Sequence, residues 1–228
     1  MDRTKSLSFR EIYYRRRFFI LLLSLMALIL ITPLFQEFSG VQVVWNIFLT
    51  GILLSGVHAV SEKKRSVYIA SLLALPMLAY LWSPYLIESN RYVVIVGGLC
   101  GVLFFAYMIV NILFFIFKQD KVTRDLISGA AVVYLLMAIM WTFIYRIIET
   151  VHPGSFTLPI TSIYERTRFV YFSLVTITTL GYGDIVPKTS LARSLATLEA
   201  VVGQLYLVTT VAWLVGVRVS QSRERKSE

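Results

Sequence analysis

The residues best placed to do chemistry are Thr179-Leu180-Gly181-Tyr182-Gly183, and the chemistry belongs to their backbone rather than to their side chains. Glycines at alternate positions let the chain take φ > 0 at little cost. An extended strand of alternating hand turns successive carbonyls to the same side. At membrane depth unsatisfied carbonyls cost several kcal/mol each, so such a strand persists only where it is buried in protein or lines a wet cavity. A ring of carbonyls around a cation meets that demand. The second unusual residue is Glu199, an acid inside a long apolar segment, where an ionised side chain costs about 2.5–3.5 kcal/mol on the insertion scale. Against these two features stands an absence of enzymatic motifs: the sequence has no G-x-S-x-G, no H-E-x-x-H and no phosphate-binding loop.

The elements that must position this strand are apolar helices. The chain has 228 residues, 57% of them hydrophobic, with a mean hydropathy of +0.72. Soluble domains are about 45–50% apolar. The excess is gathered into runs over 18–35, 41–60, 67–82 or a little beyond, 92–117, 126–148 and 189–218. These predict six transmembrane helices, since about 17–25 residues cross the hydrocarbon core. The third run is the shortest and contains Pro76. Between the last two runs, Ser162 and Glu165 have capping-box spacing, which predicts a short helix through Phe172 and Val175 that stops near Thr178.

Charge orients the chain. Of 22 Lys and Arg, 16 fall at the two termini and in the loops after the second and fourth spans. By the positive-inside rule both termini are cytoplasmic and the 179–183 strand lies near the outer face. The net charge of +9 is thereby explained without nucleic acid. The run Arg15-Arg16-Arg17 is expected to anchor at anionic lipid headgroups. Cys100, the only cysteine, excludes an intrachain disulfide and reads as a packed thiol.

Thr179-Leu180-Gly181-Tyr182-Gly183-Asp184 resembles the selectivity filter of the tetrameric potassium channels, whose TVGYG loop is the known example of such a site. Pro187 after the strand and Gly203 twenty residues beyond Gly183 extend the resemblance. It implies K+ coordination at Thr179, Leu180, Gly181, Tyr182 and Gly183, by the carbonyls of the first four with the Thr179 hydroxyl at the cytoplasmic end. It further implies that Asp184 braces Tyr171 behind the filter, and that Gln204, Leu207 and Val211 line the cavity. Gly203 reads equally as a gating hinge or a close helix contact. Two positions depart from the family: Leu180 replaces the usual Val, and Tyr171-Phe172 stands where many members carry a Trp pair, which leaves the Asp184 brace open.

The expected fold is an all-α membrane protein with six transmembrane helices, a re-entrant pore helix and a filter, assembling as a tetramer, since one filter per chain requires four chains. The expected divisions are a basic N-terminus (1–17), a four-helix sensor-like domain (18–121), a pore domain (122–218) and a short tail (219–228). The fourth span, Tyr92 to Phe117, has no Arg or Lys, so strong voltage sensing is not expected of it. The tail, if the chain is complete, is too short for a nucleotide-binding domain. Glu199 reads either as a hydrogen bond to the pore helix, through Thr176 or a tyrosine, or as a proton-linked gate. Gly97-x-x-x-Gly101 reads as a packing face. The function expected is passive K+ conduction without cofactor or enzymatic step. A weakly selective cation channel, a potassium uptake transporter and a non-conducting regulatory subunit are the alternatives.

Overall fold

The computed structural model describes residues 17–34, 41–59, 64–86, 90–119, 121–157 and 167–227. They form seven helices: α1 (Arg17–Leu34), α2 (Val41–Ala59), α3 (Lys64–Leu86), α4 (Arg91–Phe117), α5 (Arg124–Val151), α6 (Arg168–Ile177) and α7 (Ser190–Ser227). The described residues contain no paired β-strand beyond one isolated bridge, Phe156 with Pro187, so the 179–183 strand is a single extended segment. This is an all-α membrane protein. Helices α3, α4, α5 and α7 are long and apolar enough to cross a bilayer, while α1 and α2 carry shorter described apolar stretches, Phe18–Leu30 and Asn46–Val57.

The helices start and stop where the sequence punctuates them. Asn90 precedes α4 and its side chain accepts from the Tyr92 amide at 3.0 Å. Thr123 caps α5 in the same way through Leu126, and Asp125 lies in that first turn, where an acid complements the helix dipole. Helix α3 continues through Pro76, begins three residues before the expected Val67 and ends at Leu86, a little beyond Trp82 as expected. Helix α7 overruns its expected end near Arg218 and reaches Ser227. The polar tail is rich in Arg, Lys and Glu, which favour helix as strongly as most apolar residues do. Ser162 and Glu165, the expected capping box, lie outside the described residues, as do Arg15 and Arg16; Arg17 opens α1. The pore helix α6 begins at Arg168, with Thr167 at the cap position and no side-chain capping bond.

Helices α1 to α5 share one core, which also takes in Val170 and Ile177 of α6. Close approach is bought with glycine. A Cβ on Gly97 would lie 2.3 Å from Tyr80 of α3, one on Gly98 2.9 Å from Ile147, and one on Gly101 3.1 Å from Phe143, both of α5. The 97–101 stripe therefore lets α4 lie against α3 and α5 together. At the other end of α5, Gly129 meets the Phe18 ring of α1. A second cluster, Trp141, Tyr145, Ile148, Phe156, Phe169, Phe172, Ile185, Ala192 and Ala196, joins α5, α6 and α7 behind the 179–183 strand.

Candidate functional site

Helix α6 ends where the sequence analysis placed its end. Thr178 is the C-cap, with its amide donating back to Leu174 and Thr176. The chain then leaves the helix while its first amides stay tied to it: Thr179 N–H donates to Thr176 O at 2.9 Å and Leu180 N–H to Val175 O at 2.9 Å. Beyond this point the backbone alternates. Thr179, Gly181 and Gly183 have φ of +59°, +59° and +80°. Glycine takes this region freely, but a β-branched threonine does not. The left-handed Thr179 was not anticipated, because residue type alone argues against it.

The strand is exposed along its whole length, from Thr179 to Asp184. Leu180 and Tyr182 are 56% and 66% exposed in the single chain. Tyr171 of α6 stacks on Tyr182, with ring centroids 6.4 Å apart and planes 5° from parallel. The hydrogen bond between the Tyr171 hydroxyl and Asp184 pushes that phenol up to about 12. Asp184 also accepts from the Ile185 amide at 3.0 Å. Tyr171 thus reaches both Tyr182 and Asp184. Its neighbour Phe172 turns the opposite way, into the buried cluster, 5.0 Å from the Tyr145 ring centroid.

The loop after the strand is held to the loop before α6. Thr157 N–H donates to Val186 O and Lys188 N–H to Ser155 O, at 2.9 and 2.7 Å. Glu149, near the end of α5, accepts from the amides of Gly154 and Phe156. Both sides of the strand are therefore anchored to α5.

Glu199 of α7 is wholly buried at the middle of this jacket. The Tyr145 hydroxyl of α5 donates to its Oε2 and the Ser173 hydroxyl of α6 reaches its Oε1. The expected tyrosine is present; the expected Thr176 is replaced by Ser173, one turn earlier on the same face of α6. One turn along α7, a Cβ on Gly203 would lie 2.5 Å from Ile177 Cγ1 and 3.1 Å from the Ile177 carbonyl. Of the two readings of Gly203, the structure supplies the close contact, and α7 runs through it as an unbroken helix. Positions 199 and 203 thus meet positions 173 and 177, a matched i, i+4 pair on each helix. Ile177 O also accepts from the Tyr134 hydroxyl at 2.9 Å, and Tyr134 stacks on Tyr206 of α7. Tyr134 and Ser173 were missed by sequence reasoning, and the tyrosine was expected without its position. The common spacing of 173/177 and 199/203 was the available signal.

Gln204, Leu207 and Val211 lie on one exposed face of α7, at spacing i, i+3, i+7.

Helix α6, the strand that follows it and α7 packed behind them form one unit, and that unit has relatives. The family described as "ion channel" matches residues 126–217. The match covers 92 of the 228 residues. The chain is 35% identical over 77 residues to the inward rectifier potassium channel Kirbac3.1 of Paramagnetospirillum magnetotacticum, covering 34% of this chain and 23% of that protein. It is 48% identical over 46 residues to the probable potassium channel protein 2 of Methanocaldococcus jannaschii, covering 19% and 13%. The matched stretches thus span less than a quarter of these relatives. No solved structure matches the chain. The matched stretch begins within α5 and ends within α7, so α1 to α4 lie outside it. Both relatives are named as potassium channels.

Proposed function

We propose that this chain is the subunit of a homotetrameric, potassium-selective channel of the plasma membrane, conducting K+ passively through Thr179–Gly183. The observation that carries this reading is the alternation of positive φ at Thr179, Gly181 and Gly183, directly after a helix whose C-terminus ends at the strand. Such alternation turns the carbonyls of Thr179, Leu180, Gly181 and Tyr182 toward one axis, where they replace the hydration shell of K+. The helix end adds a partial negative charge of roughly −0.5 that favours a cation. Similarity to two potassium channels supports the choice of ion.

Four copies are needed because one chain supplies one wall of the pore. The exposed face of α7 at Gln204, Leu207 and Val211 is consistent with a surface that meets the axis. Asp184 and Tyr171 act as the brace behind the strand. The distribution of basic residues puts both termini in the cytoplasm, with six crossings, and Arg15, Arg16 and Arg17 at anionic headgroups. Helices α1 to α4 form a sensor-like domain without moving charge.

Flux from proteoliposomes tests the assignment. Vesicles loaded with K+ should lose it through the wild-type protein, while Gly181→Ala protein, assembled to the same size, should release at most about a tenth as much, because its left-handed residue costs about 1–2 kcal/mol in each of four chains. Equal flux from both proteins would place the conduction path elsewhere.

A further inference from the structure

Glu199 is a buried acid without a base. Its side chain is 0% exposed, and no basic side chain pairs with it among the described residues. An ionised carboxylate in that setting costs several kcal/mol even after relaxation. The hydrogen bonds around it carry a second, independent argument. Ser173 Oγ lies 2.7 Å from the backbone carbonyl of Ala138. Two oxygens at that separation need a hydrogen between them, and a carbonyl has none to give. The single hydrogen of the Ser173 hydroxyl is therefore committed to Ala138. Ser173 also sits at hydrogen-bond distance from Glu199 Oε1. That contact needs a hydrogen too, and the only group left to supply it is the carboxyl. The Tyr145 hydroxyl supplies its own to Oε2.

We propose that Glu199 is a positioning residue for the filter and works as a neutral carboxylic acid. It donates to Ser173, Ser173 donates to Ala138 O, and Tyr145 donates to the acid's second oxygen. The relay ties α7, α6 and α5 at one buried point, six residues before Thr179. One turn below, Gly203 rests on Ile177, so the pore helix is held to the inner helix at two successive turns. The inference rests on the reading of Thr179–Gly183 as a filter and names what sets its position.

Glutamine reproduces the pattern: its amide nitrogen donates to Ser173 and its carbonyl accepts from Tyr145. In planar bilayers Glu199→Gln should keep the K+-over-Na+ permeability ratio and the open time within about twofold of wild type, whereas Glu199→Ala, which leaves the buried Tyr145 hydroxyl without its acceptor and Ser173 without its donor, should lose about tenfold in one or both. Should the alanine chain fail to assemble, Ser173→Ala keeps the acid, removes the relay and should show the same loss. Difference infrared spectra of wild type against Glu199→Gln should contain a protonated-carboxyl band and no carboxylate band. A glutamine variant as impaired as alanine, a carboxylate band, or an alanine variant indistinguishable from wild type would each overturn the proposal. A wild-type protein that carries no selective current would count against the channel reading alone. The infrared band and the thermal stability of the assembly, kept in Glu199→Gln and lowered in Ser173→Ala, would still decide the relay.

Discussion

At Thr179 the backbone takes a conformation that a β-branched side chain resists. Among the described residues it is the one non-glycine with positive φ. Holding such a residue there costs on the order of 1–3 kcal/mol and requires surroundings that over-determine it. Here those are the two amide bonds that tie Thr179 and Leu180 back to α6, and the Tyr171–Tyr182–Asp184 contact beyond them. The two glycines were legible in the sequence because glycine advertises its freedom. The threonine was not, since nothing in its type announces strain. Tyr171→Phe follows from the same geometry. It keeps the ring on Tyr182 but removes the bond to Asp184, a loss of about 1 kcal/mol for a half-exposed pair. Currents through this variant should decay several times faster during sustained opening, with the permeability ratio unchanged. Decay at the wild-type rate would mean that the brace carries no load.

At the scale of elements, α5, α6 and α7 behave as one clamp around the strand from Thr179 to Gly183. Gly203 is the test of it. A methyl group there collides with Ile177, so Gly203→Ala should lower the thermal stability of the assembly by about 1–3 kcal/mol, the usual cost of overpacking. Trimming the neighbour should relieve it: Gly203→Ala with Ile177→Ala should be more stable than the additive sum of the two single changes. If Gly203 were needed for bending instead, the double variant would gain nothing. Gly216, where a Cβ meets nothing within 4 Å, is the control and should accept alanine. Tyr134→Phe leaves the Ile177 carbonyl without its hydroxyl donor and should cost about 1 kcal/mol in the same melting measurement. The helices themselves were largely readable, because apolar runs bounded by Asn90, Thr123 and Thr178 set their limits locally. The contacts between them were not. Ser173 meets Glu199 and Tyr145 meets Phe172 only because three helices converge, which no single window of sequence contains.

At the scale of the molecule, the matched region is joined to four further helices, of which α1 and α4 pack directly on α5 while α2 and α3 pack on α1 and α4. Their interface is made of glycine and aromatic contacts, with Gly98 on Ile147 and Gly101 on Phe143. The fourth of them has no basic residue between Tyr92 and Phe117, and Arg91 at its start donates to Val151 O at the end of α5. A charge that crossed the field would gain about 2.3 kcal/mol per 100 mV, and α4 has none to move. Steady-state conductance should therefore change by no more than a few-fold over that interval. A steep exponential rise would require gating charge in another helix. The composition made this readable from the sequence, whereas the way α4 lies in the groove between α3 and α5 depended on packing.

The reversal potential tests the central claim most directly. Purified protein in a planar bilayer, with potassium on one side and sodium on the other, should reverse close to the potassium equilibrium value. Robust current reversing near zero would show that the strand from Thr179 to Gly183 does not discriminate between the two ions, and the account of it as a selectivity filter would fail.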